Sequence, residues 1–309
     1  MSAEVEAFEQ RPYAETVPEY YEGCLLDYRV GWVRKRTLAL HYGYWDEHTR
    51  SHAESLINMN RQVAGMADPE LRPGMRVFDA GCGIGGPDMW LAQNYGVEVV
   101  GVTLSQIQCK RANRYARQRG LEHLVRFEVQ DFTGTKYPEA SFDVVWSQEA
   151  VCHLPLEDKQ AFLREAHRLL KPGGQLILED WYRFRRGYTE RDEKLLKVWL
   201  TGWAIYDLAT LDEYARWAED AGFTITARRD LTGHIHKSFR HLHRIAMAVY
   251  PPGLLMRAVR IRSSIEHGNM RSARLQWKTY KRNLWGIGIL TARKEAPPPA
   301  PLAPVPDEA

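Results

Sequence analysis

Residues 143–153 read DVVWSQEAVCH: an apolar run ends in a carboxylate, Glu149, with an imidazole, His153, four residues on. An acid and a histidine at the end of a buried strand can move protons, if the fold aims them into a pocket. A second stretch, VFDAGCGIGG (77–86), sets Asp79 ahead of Gly81, Gly83, Gly85 and Gly86. Glycines permit positive φ and let a ligand approach the backbone. No Gly-Lys-Ser/Thr follows, so this is not a phosphate-cradling P-loop. A carboxylate ahead of the first glycine repels a pyrophosphate and suits a ligand bearing an ammonium group.

These residues need elements to hold them. Short apolar runs at 75–81, 97–104, 124–131, 142–147 and 175–181 read as strands. Between them, 88–95, 105–120 and 159–174 have helical spacing; the second opens on a Ser cap and closes on Gly, and the third ends in Lys-Pro-Gly-Gly. Such alternation predicts an α/β fold, a mostly parallel seven-stranded sheet covered on both faces. A helix at 211–222 and strands at 223–231 and 284–293 complete it. The expected domains are an N-terminal helical cap (1–70), a core (71–231), a helical lid insertion (232–283), a last core strand (284–294) and a disordered Pro/Ala-rich tail (295–309).

The composition, 44% hydrophobic and 26% charged over 309 residues, is that of a globular chain. Net charge is only +3, but from Arg228 to Lys294 fifteen Lys/Arg face two acids, Asp230 and Glu266. That span reads as a solvated basic face or a site for an anionic ligand or surface. The four cysteines show no Cys-x-x-Cys spacing, and the acidic N-terminus has no apolar leader, so a cytoplasmic, reducing location is expected. The run IAMAVYPPGLLM (245–256) is too short to span a bilayer and is interrupted by Pro251-Pro252; it could touch a membrane surface or wall an apolar pocket. Self-association is left open.

The glycine loop and the LLKPGG turn (169–174) resemble those of the class I S-adenosylmethionine (SAM)-dependent methyltransferases, whose core is Rossmann-like. The resemblance implies that Asp79, Gly81 and Gly83 hold the amino-acid part of SAM. Asp131 would contact the adenine amino group, with Phe132 beside the ring. Many members carry an acid at the end of the second strand; here GVTLSQIQ has none. The TLS-x-x-Q variant is similar to the branch of sterol, tocopherol, cyclopropane-fatty-acid and prenyl-diphosphate methyltransferases. In that branch, backbone near Thr103 and Leu104, with Gln108, would serve the ribose.

The segments ALHYGYWDE (39–47), WSQEAVCHLP (146–155) and EDWYRFRRGY (179–188) resemble geranyl-diphosphate C-methyltransferases. The resemblance implies methylation of an alkene carbon in a prenyl diphosphate or related terpenoid. Attack by an alkene leaves a carbocation, which Glu149 would stabilise and deprotonate, with His153 as a second base. Tyr42, Tyr44, Trp45, Trp181 and Tyr206 would shield the cation. His236, Lys237, Arg240 and Arg244 would grip an anionic end, with Mg²⁺ if that end is a diphosphate. The metal site is unassigned, because no Asp-rich pair is present. O- or N-methylation of a small natural product, and a sterol- or tocopherol-like activity, are the alternatives. Asn/Asp-Pro-Pro-Tyr/Phe is absent after strand four, so no nucleic acid is expected.

Overall fold

A computed structural model describes residues 3–31, 36–259 and 261–296. Seven strands form one sheet: β1 (Arg76–Ala80), β2 (Glu98–Thr103), β3 (Val125–Val129), β4 (Phe142–Gln148), β5 (Leu170–Tyr182), β6 (Phe223–Asp230) and β7 (Gly286–Lys294). Their spatial order is β3-β2-β1-β4-β5-β7-β6. The first five run parallel; β7 is antiparallel between β5 and β6. The strand order reverses between β1 and β4, and a crevice opens there at the carboxyl ends of an open parallel sheet.

Successive side chains on a strand point to opposite faces, and both faces here are apolar. Val77, Val99, Trp146 and Ile177 join one buried core. Their chain neighbours Phe78, Val100, Val145 and Leu176 join the other, with Phe162 and Leu163 of the helix Leu156–Leu169. Helices Gly86–Tyr95 and Gln106–Gln118 pack on β2 and β3, and Leu211–Asp220 packs on β6. All seven expected strands and the intervening helices form.

Two local expectations need correction. Lys-Pro-Gly-Gly does not simply end a helix. The helix stops at Leu169, Leu170 already pairs with Phe142, and pairing resumes at Gln175 with Val144, so 171–174 bulge out of β5. Nor do Pro251 and Pro252 interrupt the chain, for the helix His236–Ala258 runs through both. Each proline removes one N–H donor, which would have served the carbonyls of Met247 and Ala248. Both residues are exposed, where a missing backbone bond costs less than in a buried helix. From residue 297 onward, the expected tail lies outside the described residues.

After β4 the chain makes a tight turn, Val151–His153, which is held from two sides. Lys159 is wholly buried, and its Nζ donates to the carbonyls of Val151 (2.8 Å), Cys152 (3.1 Å) and Leu154. Asp180 accepts the Cys152 N–H at 2.8 Å from the other side. Replacing Lys159 by Met would leave three carbonyls short of a donor. We expect a loss of about 2–4 kcal/mol in unfolding free energy, measured by denaturant unfolding.

Candidate active site

The crevice holds a cleft walled by the glycine loop, the end of β2 and the turn after β4. Asp79, Gly81, Gly83, Thr103, Leu104, Gln108 and Phe132 all line it, as do Glu149 and His153. Gly81 has φ +105°, and a Cβ there would lie 2.2 Å from the Ala150 Cβ, so only glycine fits. Asp79 is buried, and its Oδ1 has no hydrogen bond among the described residues. Burial, then the nearby charge of Asp88, push its pKa well up. Ser105 caps the helix Gln106–Gln118 by accepting the Gln108 N–H at 3.2 Å. The Thr103 hydroxyl donates to Gln108 Oε1 at 2.8 Å, knitting TLS-x-x-Q into one corner.

Asp131 does not line the cleft itself. Its carboxylate accepts from Tyr13 Oη at 2.5 Å and from the Thr133 N–H at 2.9 Å. Tyr13 belongs to the helix Tyr13–Gly23, which also brings Val17, Pro18 and Tyr21 to the cleft. These residues escape sequence reasoning, as do His41 and Gln148 in the same wall. Gln148 is buried and its side-chain nitrogen and oxygen have no partner among the described residues. The only signal for it was its place beside Glu149.

A second, larger chamber lies next to the cleft, and Glu149 and Leu40 line both. Glu149 has φ +49°, an uncommon backbone state for a residue with a side chain, of the kind found at functional sites. Its Oε1 accepts the Tyr42 N–H at 2.5 Å, and its Oε2 accepts the Trp181 indole N–H at 2.8 Å. Burial raises its pKa to about 8 against the pull of these two donors, with help from the charge of Asp180. Beside it, Glu179 is buried with both oxygens unpartnered among the described residues. Its own pKa is well raised, by burial and by the charges of Glu149 and Asp180.

His153 is buried and neutral, its pKa lowered by burial to about 4. The Ala204 carbonyl, 3.0 Å from Nδ1, can only accept, so Nδ1 carries the proton. Nε2 is then the acceptor for the Tyr21 hydroxyl at 2.9 Å.

Of the expected substrate residues, the structure brings Tyr42 and Trp181 to the chamber. Their rings stack at 5.4 Å, and Trp181 also stacks on Trp199 and on Trp285 at 5.4 and 5.1 Å. The others are not in the chamber wall. Tyr44 stacks on His234 at 4.1 Å, and the Trp45 indole N–H donates to Ser238 at 2.8 Å. Tyr206 is bonded to the Arg11 carbonyl and to Thr16, anchoring the N-terminal helix. His236, Lys237, Arg240 and Arg244 are exposed. The helix that carries them turns Leu242, Ile245, Ala246 and Val249 inward instead, because apolar positions win the buried side of an amphipathic helix.

The cleft fits a cationic amino-acid–nucleoside such as SAM. It offers a buried carboxylate oxygen without a partner, an unpartnered amide, a glycine cradle and an aromatic ring, Phe132. Comparison with known proteins agrees. A family model described as a methyltransferase domain matches residues 78–178. The 27-O-demethylrifamycin SV methyltransferase of Amycolatopsis mediterranei is 34% identical over 202 residues, covering 65% of this chain and 72% of that one. The solved 4+2 cyclase SpnF superposes with a TM-score of 0.76 at 25% identity, covering 93% of this chain and 97% of that one. A geranyl diphosphate C-methyltransferase from Streptomyces coelicolor, solved with Mg²⁺, geranyl diphosphate and S-adenosyl-L-homocysteine, shares the fold. Its TM-score is 0.66 at 20% identity, covering 93% of this chain and 99% of that one.

Asp79→Asn should weaken SAM binding by about 10- to 100-fold, since a charge-assisted bond is worth roughly 1.5–3 kcal/mol; titration calorimetry reads it directly. A domain match over the core, a relative covered for most of its length and a cleft shaped for a cationic nucleoside converge. The chain belongs to the class I SAM-dependent methyltransferases.

Proposed function

We propose that this methyltransferase acts on an alkene carbon of a prenyl diphosphate or related terpenoid. One observation carries the reading: Glu149 stands between the cofactor cleft and an apolar, ring-lined chamber, its two oxygens fixed by two donors. When bound, SAM supplies an electrophilic methyl group on a sulfonium. The chamber holds the substrate's double bond near the cleft. Trp181, Tyr42 and Trp203 present π-faces or edges that stabilise positive charge on substrate carbon. The Glu149 carboxylate stabilises the same charge and then takes a proton from the adjacent carbon, restoring a double bond. An oxygen or nitrogen nucleophile leaves no carbocation to be stabilised, so rings and a carboxylate together fit an alkene better.

The polar end of the chamber refines the substrate. Arg262 is the one cation among the described residues lining it, and both oxygens of Asp27 already engage its Nη2, at 2.8 and 2.6 Å. Asn269 donates to Asp27 at 2.9 Å and accepts from Tyr20 at 3.0 Å. A charge-compensated trio suits a hydroxyl or carbonyl better than a free diphosphate, which favours the related-terpenoid half of the reading. Among the described residues no group of three or more His, Cys, Asp or Glu is placed to hold a metal, so no step here uses Mg²⁺.

A second reading, methylation of oxygen or nitrogen, has its own observation. Nε2 of His153 is an acceptor on the cleft wall, filled here by the Tyr21 hydroxyl, a place that a substrate hydroxyl can take. The O-methylating name of the rifamycin relative points the same way. Locating the added carbon by NMR after incubation with farnesol, geranyl diphosphate and farnesyl diphosphate separates the readings. A C–CH₃ product supports the first, an O–CH₃ product the second.

Glu149→Gln should lower kcat by about 10²- to 10⁴-fold while leaving the calorimetric SAM affinity near wild type. A base must be deprotonated, and the raised pKa of Glu149 makes that fraction grow as pH rises through about 8. The pH profile of kcat/KM should therefore climb to a plateau in the wild type and lose that limb in Glu149→Gln. Trp181→Phe removes a donor to the carboxylate. Its limb should shift to higher pH, since a lost bond to the ionised form disfavours ionisation.

A further inference from the structure

Large apolar side chains are mostly hidden here, with one concentrated exception. Eleven are exposed among the described residues, and seven of them lie between Met247 and Ile261. Leu255 and Ile261 are 69% and 67% exposed. The residues follow a pattern on the helix His236–Ala258. Positions 237, 240, 244, 247, 251, 254 and 255 recur at three- and four-residue spacing, so they share one row. All seven are exposed. The row begins with three cations, Lys237, Arg240 and Arg244, and continues with Met247, Pro251, Leu254 and Leu255. The helix contains no Asp or Glu, and Arg257 adds a fourth positive charge. None of Arg240, Arg244 and Arg257 is in an ion pair among the described residues.

We infer that this face docks the enzyme on an anionic lipid bilayer, its apolar end inserted among acyl chains and its basic end on the headgroups. The charges decide between occupants. A second copy would set cations against cations if parallel and bury them against the apolar end if antiparallel, and a nucleic acid would leave the apolar half of the row unpartnered in water. A bilayer with anionic headgroups satisfies both halves. The insertion is superficial, for no helix among the described residues is long and apolar enough to cross a membrane.

Val249 and Leu26 are exposed and also line the chamber. The chamber mouth therefore lies beside the helix whose exposed row meets the bilayer. The basic residues that do not wall the chamber are thereby given a role outside it.

The test is cosedimentation of the full chain, without substrate, with vesicles of phosphatidylcholine alone or with about a quarter phosphatidylglycerol. Binding at least tenfold stronger to the anionic vesicles, weakened by high salt, is expected. The double variant Leu254→Asp/Leu255→Asp should lose at least tenfold in partitioning, with SAM affinity and thermal melting unchanged. Arg240→Glu/Arg244→Glu should lose the preference for anionic vesicles. Failure of the wild type to sediment with either vesicle overturns the inference, as does undiminished binding by the aspartate variant. A wild type that binds no vesicle but is dimeric by sedimentation equilibrium, with a monomeric aspartate variant, would assign the face to self-association instead. Since no turnover is measured, the outcome is independent of which atom is methylated.

Discussion

The arrangement depends on burying negative charge with little protein cation to balance it. Asp79, Asp88, Glu149, Glu179 and Asp180 are all buried or nearly so, and they cluster around the carboxyl ends of β1, β4 and β5. An ion taken out of water without a partner costs several kcal/mol, so these groups hold protons more tightly. Burial raises the pKa of Asp88 to about 7 and that of Asp180 to about 6, and pushes those of Asp79 and Glu179 well up. Lys159 lies near Asp180, but it is spent on three carbonyls. An edge so short of positive charge is complementary to a ligand that carries an ammonium and a sulfonium. The same shortage makes Glu149 a better base, because a carboxylate with a raised pKa accepts a proton more readily.

Holding a carboxylate in that state takes geometry from several parts of the chain. The Tyr42 N–H comes from the irregular segment after the N-terminal helices, and the Trp181 N–H from the end of β5. Tyr42 Oη is tied to Gln276 of the helix Ser264–Lys281 at 2.5 Å. Trp181, Trp199 and Trp285 stack as a block, so the indole donor has little freedom. The positive φ of Glu149 is maintained by this surrounding structure rather than by any local preference. Its own N–H donates to the Glu179 carbonyl at 2.9 Å, fastening the turn to the neighbouring strand.

The N-terminal helix and the helices before β7 act on the two cavities differently. Tyr13 and Tyr21 close the cofactor cleft through polar ties to Asp131 and His153. The paired helices His236–Ala258 and Ser264–Lys281 supply apolar walls to the chamber and almost no charge. The two cavities are thus lined differently: charge and hydrogen-bonding groups around the glycine loop, rings and aliphatic side chains with an Asp27–Arg262–Asn269 end in the larger chamber, and Glu149 in the wall of both.

Much of this was legible in the sequence, for a physical reason. Period-two and near-continuous apolar runs specify strands, glycines at 81–86 specify a loop that only backbone can fill, and Glu149 ends a strand whose direction the parallel topology sets. These are local signals acting through short connections. What the sequence alone misassigned were residues whose role depends on which face of a helix turns inward. His236, Lys237, Arg240 and Arg244 are a basic cluster in the chain, but their helix buries its other side and leaves them in water. Tyr44, Trp45 and Tyr206 are aromatic like Tyr42 and Trp181, yet they pack elsewhere. Tyr13 and Tyr21 carried no pattern at all, because their partners, Asp131 and His153, lie far along the chain. The sequence by itself determined the sheet, the cofactor loop and the acid at the end of β4. Only the tertiary structure decided which rings surround that acid and which charges stay outside, since long-range packing sets the buried face of each helix.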